Sequence, residues 1–446
     1  MLIIDSALRA REEQGRPIRV GMIGAGFMGR GLANQFVHSA AGMRLVAISN
    51  RTVDRAVGAY THADASLTPV VAGSQGDLED AIRAGTPVVA EDAMLLCRSE
   101  RIDVLLDVTG AVEFGARVAL EAFRHGKHVI LMNAELDATI GPILQVYARR
   151  HGVLLSACDG DQPGVEINLY RFVKGLGLIP RLLGNIKGLQ DPYRTPTTQR
   201  GFAERWGQKP SMVTSFADGS KVSFEQAVVA NATGFQVVRR GMLALEHRGH
   251  VDELTSKYDL DMLRERRGIV EYVIGAQPGP GVFCLAEHTD PRQRHYLNLY
   301  KLGEGPLYSF YTPYHLCHFE VPNTVARVAL FGDTAGQAIG GPFVQVCAVA
   351  KRDLKAGEVL DDYGHYMTYG EAVNSGEMRR NRYLPEGLVE GCRLLRDVAR
   401  DAVLTYDDVE LPAGRLADRL YEEQCVQFDG AAGTEATSSA LASAAR

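Results

Sequence analysis

Short apolar runs alternate with amphipathic stretches along the first third of the chain. Residues 19–23 and 43–49 are apolar runs typical of buried parallel strands, and residues 102–108, 125–132 and 153–158 repeat the pattern. The charged residues 1–18 predict a lead helix. The alternation predicts an α/β fold with a doubly wound sheet. Residues 50–102 are too many for a structureless connection, so we expect an additional strand and helices there.

Beyond residue 160 the pattern is mixed. Helical periodicity at residues 168–176 and 224–231 is interspersed with strand-like runs at 182–187, 282–287 and 295–300, which predicts an open α+β domain. A strand from residue 346, followed by a tight turn, begins a small third domain. Residues 430–446 are mostly small, cannot bury much surface, and predict a disordered tail.

A glycine pattern directly follows the first apolar run. Gly24 permits a tight turn, Gly26 removes the side chain where a diphosphate approaches the backbone, and Gly29 lets the next helix pack closely. The diphosphate then lies at a helix N-terminus, where free N–H groups favour an anion. A second strand follows at the expected distance, so the pattern predicts a dinucleotide-binding Rossmann domain.

The residues after the second strand bear on which dinucleotide is bound. NAD sites usually carry an Asp or Glu there for the ribose hydroxyls, whereas this chain has Asn50, Arg51 and Thr52. A guanidinium and a hydroxyl suit a 2′-phosphate, although Arg51 as a solvated loop residue is the alternative. We therefore expect NADPH as cofactor. The expected cofactor-binding residues are Gly24, Gly26, Phe27, Met28, Gly29, Asn50, Arg51, Thr52, Thr109, Gly110 and Asn133.

Length, charge and cysteine content limit the classes of function. The 446 residues suggest two or three domains, and the net charge of −6 without long like-sign blocks gives no sign of a nucleic-acid or anionic membrane partner. The seven cysteines are scattered without a CxxC pair, so neither a disulfide framework nor structural zinc is indicated. No signal-peptide pattern and no run of about 18 apolar residues occur. We expect a cytoplasmic protein.

Reduction of a carbonyl by NADPH needs an acid near the developing alkoxide and groups that orient the substrate. Lys187, at the end of a predicted strand, is the leading candidate acid, with a solvated surface lysine as the alternative. Asp159 and Asp161 follow another strand in a Gly-Pro-rich turn and are candidates for a divalent metal or a substrate hydroxyl; turn chemistry alone also explains them. Glu135 is a further candidate, with helix capping as its alternative.

A threonine-rich loop follows Lys187. Its Arg194, Thr195, Thr197 and Thr198 are candidates for binding a phosphate or polyol, and an ordinary surface loop is the alternative. His315 and His318 have metal-ligand side chains, but on a predicted strand residues i and i+3 point to opposite faces, so we expect no zinc site there.

Several motifs together resemble one family over nearly the whole chain. They are Gly24-Ala-Gly-Phe-Met-Gly29, Val108-Thr-Gly110, Asn133-Ala-Glu135, Asp159-Gly-Asp161-Gln-Pro-Gly164, Asn185-Ile-Lys-Gly188, Pro313-Tyr-His-Leu316 and Ala350-Lys-Arg-Asp-Leu-Lys-Ala-Gly357. The chain is similar to the homoserine-dehydrogenase-like oxidoreductases that carry a C-terminal SAF domain. Within that family it resembles the subgroup described as 1-deoxy-D-xylulose 5-phosphate reductoisomerase-like.

The resemblance implies a domain order and an activity. We expect an NADP-binding Rossmann domain at residues 1–160, a central α+β catalytic and dimerisation domain at 161–342, a SAF-like domain at 343–429 and the tail at 430–446. The subgroup implies a homodimer that uses NADPH and Mg²⁺ or Mn²⁺ to convert 1-deoxy-D-xylulose 5-phosphate into 2-C-methyl-D-erythritol 4-phosphate, an isoprenoid precursor. Asp159 and Asp161 would then hold the metal.

Two alternatives remain open. The first is a homoserine-dehydrogenase-like NADP oxidoreductase acting on a small hydroxy or polyol substrate. The residues from Lys187 to Tyr193 depart from the turn and helix expected of homoserine dehydrogenase itself. The second is a non-catalytic NADP-binding sensor, which Lys187 and the neighbouring carboxylates disfavour.

Overall fold

The computed structural model of the protein describes residues 2–429. The predicted tail at residues 430–446 lies outside the described residues. Helix α1 (Leu2–Glu13) confirms the lead helix, and its Leu8 packs against the core of the first sheet.

A wholly parallel sheet forms the N-terminal part of the molecule. Its strands are β1 (Ile18–Ile23), β2 (Met43–Ser49), β3 (Val70–Val71), β4 (Val88–Ala90), β5 (Val104–Asp107), β6 (His128–Leu131) and β7 (Leu155–Ala157). The helices between them are α2 (Phe27–Ser39), α3 (Val53–Ala63), α4 (Gln75–Arg83), α5 (Ala93–Arg98), α6 (Val112–Arg124) and α7 (Ala134–Arg150). Helices on both faces explain the near-continuous apolar strands. The elements α3 to α5 confirm the predicted insertion between residues 50 and 102.

The strand order places three functional turns at one edge of this sheet. The order is β3-β4-β2-β1-β5-β6-β7, so β1 lies between β2 and β5. Ile23 at the end of β1 pairs with Asp107 at the end of β5, and Asp107 pairs with Leu131 of β6. The turns that follow these strands therefore share a crevice at their carboxyl ends, where open α/β sheets bind ligands.

A second, mixed sheet follows in the order β12-β11-β8-β10-β9. Its strands are β8 (Ile179–Lys187), β9 (Leu245–Glu246), β10 (Ile269–Ile274), β11 (Val282–Glu287) and β12 (Leu307–Thr312). Strand β8 is parallel to β10 and antiparallel to β11. The two sheets together confirm the predicted α/β fold class.

The two faces of the second sheet have different neighbours. Helices α8 (Gln162–Gly175) and α11 (Ser220–Thr233) pack on the face that contains Leu183. A 3-10 turn at residues 251–256 and helix α12 (Leu260–Glu265) cover the face that contains Leu182 and Ile186. Because side chains alternate along a strand, Lys187 belongs to the same face as Leu183, towards α11.

Four further helices complete this region. They are α9 (Pro196–Trp206), α10 (Pro210–Asp218), α13 (Pro291–Leu299) and α14 (Cys317–Ala326), the last continuing into a π-helical turn at residues 327–331. The predicted strand at residues 295–300 is wrong, because this segment lies in α13. Asp290 caps that helix by accepting hydrogen bonds from the N–H groups of Arg292 and Gln293, and Pro291 occupies its first turn.

The C-terminal segment, defined here as residues 344–429, packs against both sheets. It contains β13 (Val344–Ala350), β14 (Thr368–Asn374), α15 (Ser375–Arg380), β15 (Arg393–Leu394), β16 (Val409–Glu410) and α16 (Leu416–Asp429). Strands β13 and β14 pair antiparallel and lie against α11. Helix α16 inserts Ala417, Leu420 and Tyr421 into the core of the first sheet.

One residue of α16 hydrogen-bonds to the backbone of α7 beside its proline. Pro142 lies inside α7 and has no backbone N–H to donate. Gln424 accepts from the Ile143 N–H at 3.2 Å through Oε1 and donates to the Thr139 carbonyl at 3.1 Å through Nε2. The buried Gln424 therefore supplies a partner to one backbone group of α7 on each side of Pro142.

Candidate functional site

The glycine turn between β1 and α2 has the geometry of a diphosphate site. Gly24 adopts a left-handed φ of 108°, and a Cβ there would lie 3.1 Å from the Val108 carbonyl oxygen. A Cβ on Gly29 would lie 2.4 Å from the Gly24 oxygen, whereas nothing lies within 4 Å of a Cβ on Gly26. Helix α2 begins directly after this open space and has no side-chain cap. The residues present therefore fit a dinucleotide diphosphate.

The residues of the loop after β2 have two different environments. Asn50 accepts from the Ala25 N–H at 3.1 Å and donates to the Thr52 carbonyl at 2.8 Å, so its amide holds the glycine turn. Arg51 and Thr52 are exposed, and the Thr52 side chain makes no cap bond to α3. Both side chains are free to meet a 2′-phosphate. The neighbouring Phe27 and Met28, also predicted to bind cofactor, lie exposed and half-buried at the start of α2.

Asn133 joins two turns of the crevice. Its Nδ2 donates to Asp107 and to the Ala111 carbonyl, both at 3.0 Å, and its Oδ1 caps α7 by accepting from the Leu136 N–H at 3.1 Å. Asp107 also accepts from the backbone and hydroxyl of Thr109. The Asn133 side chain is fully buried and occupied by these contacts. Its predicted contact with the cofactor stays a prediction.

A cluster of charged side chains lies where the two sheets meet. Glu135 of α7 and Lys221 of α11 form an ion pair of 3.0 Å with 1% and 10% of their side chains exposed. Glu225 follows Lys221 by one helical turn, and the charges of Lys221, Asp161, Lys187 and Glu135 all act on it. We call these five residues, with His315, the lysine–carboxylate cluster.

His315 joins the cluster from the loop before α14. Its Nδ1 lies 3.8 Å from the Cys317 Sγ, and the charges of Asp161, Lys187 and Lys221 act on it. Burial lowers the pKa of His315. His318, by contrast, lies in α14 against Gly31 of α2. The predicted strand at these histidines is therefore wrong, although the two side chains do have different surroundings.

The two lysines of the cluster have different protonation behaviour. Burial lowers the pKa of Lys187, although Glu225 opposes the shift, and no described residue forms a hydrogen bond with its ammonium. For Lys221, the charges of Glu135, Asp161 and Glu225 outweigh burial and raise the pKa above its usual value. Burial also raises the pKa of Glu225 to about 8. The site thus combines a fixed cation with a second lysine whose pKa is lowered, which makes its ammonium the more ready proton donor of the two.

Asp159 lies outside this cluster and has a different role. It accepts hydrogen bonds from Arg327 at 2.8 Å, from Asn168 at 2.5 Å and from the Thr324 hydroxyl at 2.8 Å. Asp159 is buried, and these donors occupy its carboxylate. Within residues 2–429 no group of three His, Cys, Asp or Glu side chains is arranged to hold a metal ion. Because these donors occupy its carboxylate, Asp159 does not fit a metal ligand, and metal binding by Asp161 stays a prediction.

The loop predicted to grip a phosphate is occupied by local contacts. Arg194 pairs with Asp191 at 2.9 Å, and Thr195 and Thr198 form a capping box at the start of α9. The Thr197 hydroxyl lies 3.0 Å from that of Tyr366. These contacts explain the polar pattern as helix capping, and phosphate binding by this loop stays a prediction.

The sequence analysis missed Lys221 and Glu225. Every residue of α11 from Ser220 to Asn231 is buried, which the sequence pattern alone does not reveal. Charged side chains in such a helix are rarely fully buried unless paired. A lysine and a glutamate four residues apart in a helix that is buried on every side indicate a polar site inside the protein.

Models of two protein families match consecutive parts of the chain. Residues 24–155 match the family described as homoserine dehydrogenase, NAD binding domain, and residues 160–321 match oxidoreductase DRL, catalytic domain. The chain is an NAD(P)-dependent oxidoreductase. Neither match reaches residues 343–429, so the SAF-like character of the C-terminal segment stays a prediction. No curated protein sequence matches the oxidoreductase.

Solved structures resemble the oxidoreductase at low identity. A homoserine dehydrogenase from Thiobacillus denitrificans is 15% identical over 77% of this chain and 83% of its own, with a TM-score of 0.42. A biliverdin reductase from Synechocystis, solved with biliverdin and NADP⁺, is 21% identical over 39% of this chain, with a TM-score of 0.27. The match spans 48% of the biliverdin reductase. A scyllo-inositol dehydrogenase from Lactobacillus casei is 15% identical over 61% of this chain and 66% of its own, with a TM-score of 0.33.

In residues 2–429 no helix has the length and apolar character needed to cross a bilayer.

Proposed function

We propose that the oxidoreductase uses NADPH to convert 1-deoxy-D-xylulose 5-phosphate into 2-C-methyl-D-erythritol 4-phosphate. The observation that carries this proposal is the lysine–carboxylate cluster at the mouth of the dinucleotide crevice. Four of its residues, Asp161, Lys187, Lys221 and Glu225, lie with His315 inside the segment that matches the DRL catalytic domain. The proposal therefore joins a family match to a site with the acid–base groups that the reaction requires.

The reduction step needs a hydride and a proton. Bound NADPH supplies the hydride to the carbonyl carbon. Lys187 donates a proton from Nζ to the carbonyl oxygen as that oxygen gains charge, which gives the alcohol. Its lowered pKa eases this transfer, and its ammonium has no hydrogen-bond partner among the described residues. A substrate oxygen can therefore take that place.

The rearrangement that precedes reduction requires charge stabilisation on neighbouring substrate oxygens. Lys221 is held charged and immobile by Glu135, and its ammonium is placed to meet such an oxygen. Glu225, with a pKa raised to about 8 by burial, can hold or release the hydroxyl proton that moves during the skeletal change.

A second candidate is reversible oxidation of a small hydroxy or polyol substrate without rearrangement. The specific observation in its favour is that residues 24–155 match the family described as homoserine dehydrogenase, NAD binding domain. Simple hydride transfer needs only the proton donor and the orienting charges of the cluster. A non-catalytic sensor is disfavoured, since burying several charges has a desolvation cost that binding alone does not require.

The test is NADPH oxidation by the purified oxidoreductase with 1-deoxy-D-xylulose 5-phosphate, with either Mg²⁺ or EDTA, followed by product identification. We expect 2-C-methyl-D-erythritol 4-phosphate, and we expect Lys187→Met to lower kcat by about 10²-fold or more, the usual contribution of a general acid. Lys174→Met is the matched control, because Lys174 is an exposed lysine at the end of α8.

The outcomes separate the candidates. NADP⁺ reduction with polyols or hydroxy acids, but no turnover of the deoxyxylulose phosphate, would favour the second candidate. Tight NADPH binding with no turnover of any of these substrates would favour the sensor. Equal activity of Lys187→Met and Lys174→Met would reject Lys187 as the proton donor.

A further inference from the structure

Buried hydrogen bonds join the C-terminal segment to the first turn of α11. The backbone N–H of Gly370 donates to the Ser220 hydroxyl at 2.9 Å, and the Gly370 carbonyl accepts from the Ser223 hydroxyl at 3.0 Å. Both serines are buried. Because Ser220 and Ser223 flank Lys221, strand β14 holds the helical turn that carries this cation.

A lysine of the C-terminal segment forms hydrogen bonds with residues that lie near Lys187 and Lys221 in the chain. Lys351 Nζ donates to Asp218 at 2.8 Å and to the Arg194 carbonyl at 2.9 Å, and it also reaches the His365 carbonyl at 3.0 Å. The side chains of Lys351 and Asp218 are 3% and 0% exposed. Asp218 ends α10 just before Lys221, and Arg194 lies in the loop after Lys187. Two of the three hydrogen bonds of Lys351 therefore cross from the C-terminal segment to residues beside the cluster.

Tyr363 links the C-terminal segment to the cofactor crevice. Its hydroxyl donates to the Gly110 carbonyl at 2.9 Å, and the Glu135 carboxylate lies beside it and, with burial, raises its pKa. Its ring meets that of Phe224 of α11 edge to face, with centroids 5.7 Å apart. The Tyr363 side chain thus contacts the Gly110 turn after β5, the Glu135 carboxylate that pairs with Lys221, and helix α11.

We propose that the C-terminal segment is a working part of the active site, in which Tyr363 is a positioning residue that holds the Gly110 turn against the Glu135–Lys221 pair. This inference rests on the proposed dinucleotide-dependent reaction at the cluster. The Gly110 turn borders the crevice that receives the dinucleotide, while Lys221 belongs to the substrate side. A misplacement of about 1 Å between such groups can lower a rate by about 10²-fold.

The test compares Tyr363→Phe with Tyr369→Phe. Both tyrosines are 7% exposed and belong to the C-terminal segment, but the Tyr369 hydroxyl contacts Asp401 inside that segment. Each substitution removes one hydroxyl and keeps the ring. We expect similar Tm values for the two variants. A kcat about fivefold below wild type is expected in Tyr363→Phe alone, since a net hydrogen bond is worth about 1 kcal/mol.

Dinucleotide affinity provides a readout that does not depend on the substrate. Trp206 is the one tryptophan of the chain, and a Cβ on the next residue, Gly207, would lie 3.9 Å from the Arg30 guanidinium of α2. We therefore expect the Trp206 fluorescence to change when NADPH binds beside this helix. We expect the Kd for NADPH to rise about fivefold in Tyr363→Phe and to remain at the wild-type value in Tyr369→Phe.

Failure of the proposed substrate and failure of the Tyr363 proposal would give different results. If wild type binds NADPH but does not turn over the deoxyxylulose phosphate, the substrate assignment fails, and the Kd values still test Tyr363. If the two variants have equal NADPH affinity, and equal turnover with any substrate that wild type accepts, the positioning role is refuted. Should Tyr363→Phe fail to fold, Ser223→Ala tests the same attachment, and unchanged turnover and NADPH affinity in it would overturn the proposal.

Discussion

Replacement of Asp159 by Asn distinguishes a structural ion pair from a metal ligand. In the structure Asp159 accepts from three donors, and its ion pair with Arg327 has 5% and 11% of the two side chains exposed. An asparagine at this position has one acceptor oxygen and two N–H donors, so at least one donor loses its partner and a buried guanidinium loses one of its two neighbouring carboxylates.

The expected decrease in the free energy of unfolding follows from these lost contacts. One charge-assisted hydrogen bond contributes about 1.5–3 kcal/mol, and removing one partner of a buried ion pair costs about 3–5 kcal/mol. Arg327 keeps a second carboxylate, Asp333, at 2.8 Å, which moderates the loss. We therefore expect Asp159→Asn to lower the free energy of unfolding by about 2–4 kcal/mol. Asp333→Asn is the control on the same arginine, and its half-exposed carboxylate predicts a loss below about 1 kcal/mol.

The assay is urea unfolding followed by circular dichroism, with Mg²⁺ or with EDTA. We expect Asp159→Asn to lose the same free energy of unfolding with Mg²⁺ as with EDTA. A ligand present at ten times its Kd would stabilise the native state by about 1.4 kcal/mol. Stabilisation of wild type by Mg²⁺ that disappears in Asp159→Asn, or a loss below about 0.5 kcal/mol in EDTA, would refute the structural assignment.

Three further predictions concern the core and the cofactor. Gln424→Leu removes the side-chain partner of two buried backbone groups of α7 and should lower the free energy of unfolding in urea by about 2–5 kcal/mol. The control Gln427→Leu changes an exposed residue of α16 and should lower it by less than about 0.5 kcal/mol. Equal losses in the two variants would contradict the role of Gln424 in stabilising α7. Burial raises the pKa of Glu166 to about 8, above the ordinary 4.5, so this group's contribution to stability is complete below pH 4.5 and is lost as the pH rises to about 8. Glu166→Gln should therefore lose less stability than wild type between pH 6 and 8.5, by on the order of 2 kcal/mol, and parallel profiles would refute this. Arg51→Ala should raise the KM for NADPH about tenfold or more and leave that for NADH nearly unchanged; equal changes would reject the 2′-phosphate contact.

Much of the first sheet was predictable because its signals are local. Parallel strands covered on both faces read as apolar runs, and a tight turn that approaches both a helix and a diphosphate needs glycine at fixed positions. The glycine turn, strand β2 and the inserted elements between residues 50 and 102 follow from such signals. The strand predicted at residues 295–300 is wrong because Asp290 and Pro291, which precede this run, cap and begin a helix.

The candidate site was predictable only in part, because it is assembled from distant segments. Lys187 was found from its place at a strand end, and strand alternation directs it towards α11. Lys221 and Glu225 were missed, since their importance depends on the burial of the whole helix. Asp159 and Asp161 are two residues apart in the chain, yet one pairs with Arg327 and the other joins the lysine–carboxylate cluster.

The sequence by itself determined the dinucleotide turn, the α/β class and the candidate proton donor, because these depend on local backbone geometry and on periodicity. Only the tertiary structure decided which charges share a site. Pairing of Lys221 with Glu135, of Arg327 with Asp159 and of Tyr363 with the Gly110 turn joins residues that are far apart in the chain. The energy of a buried charge depends on the partners that folding brings to it, and a linear pattern does not contain those distances.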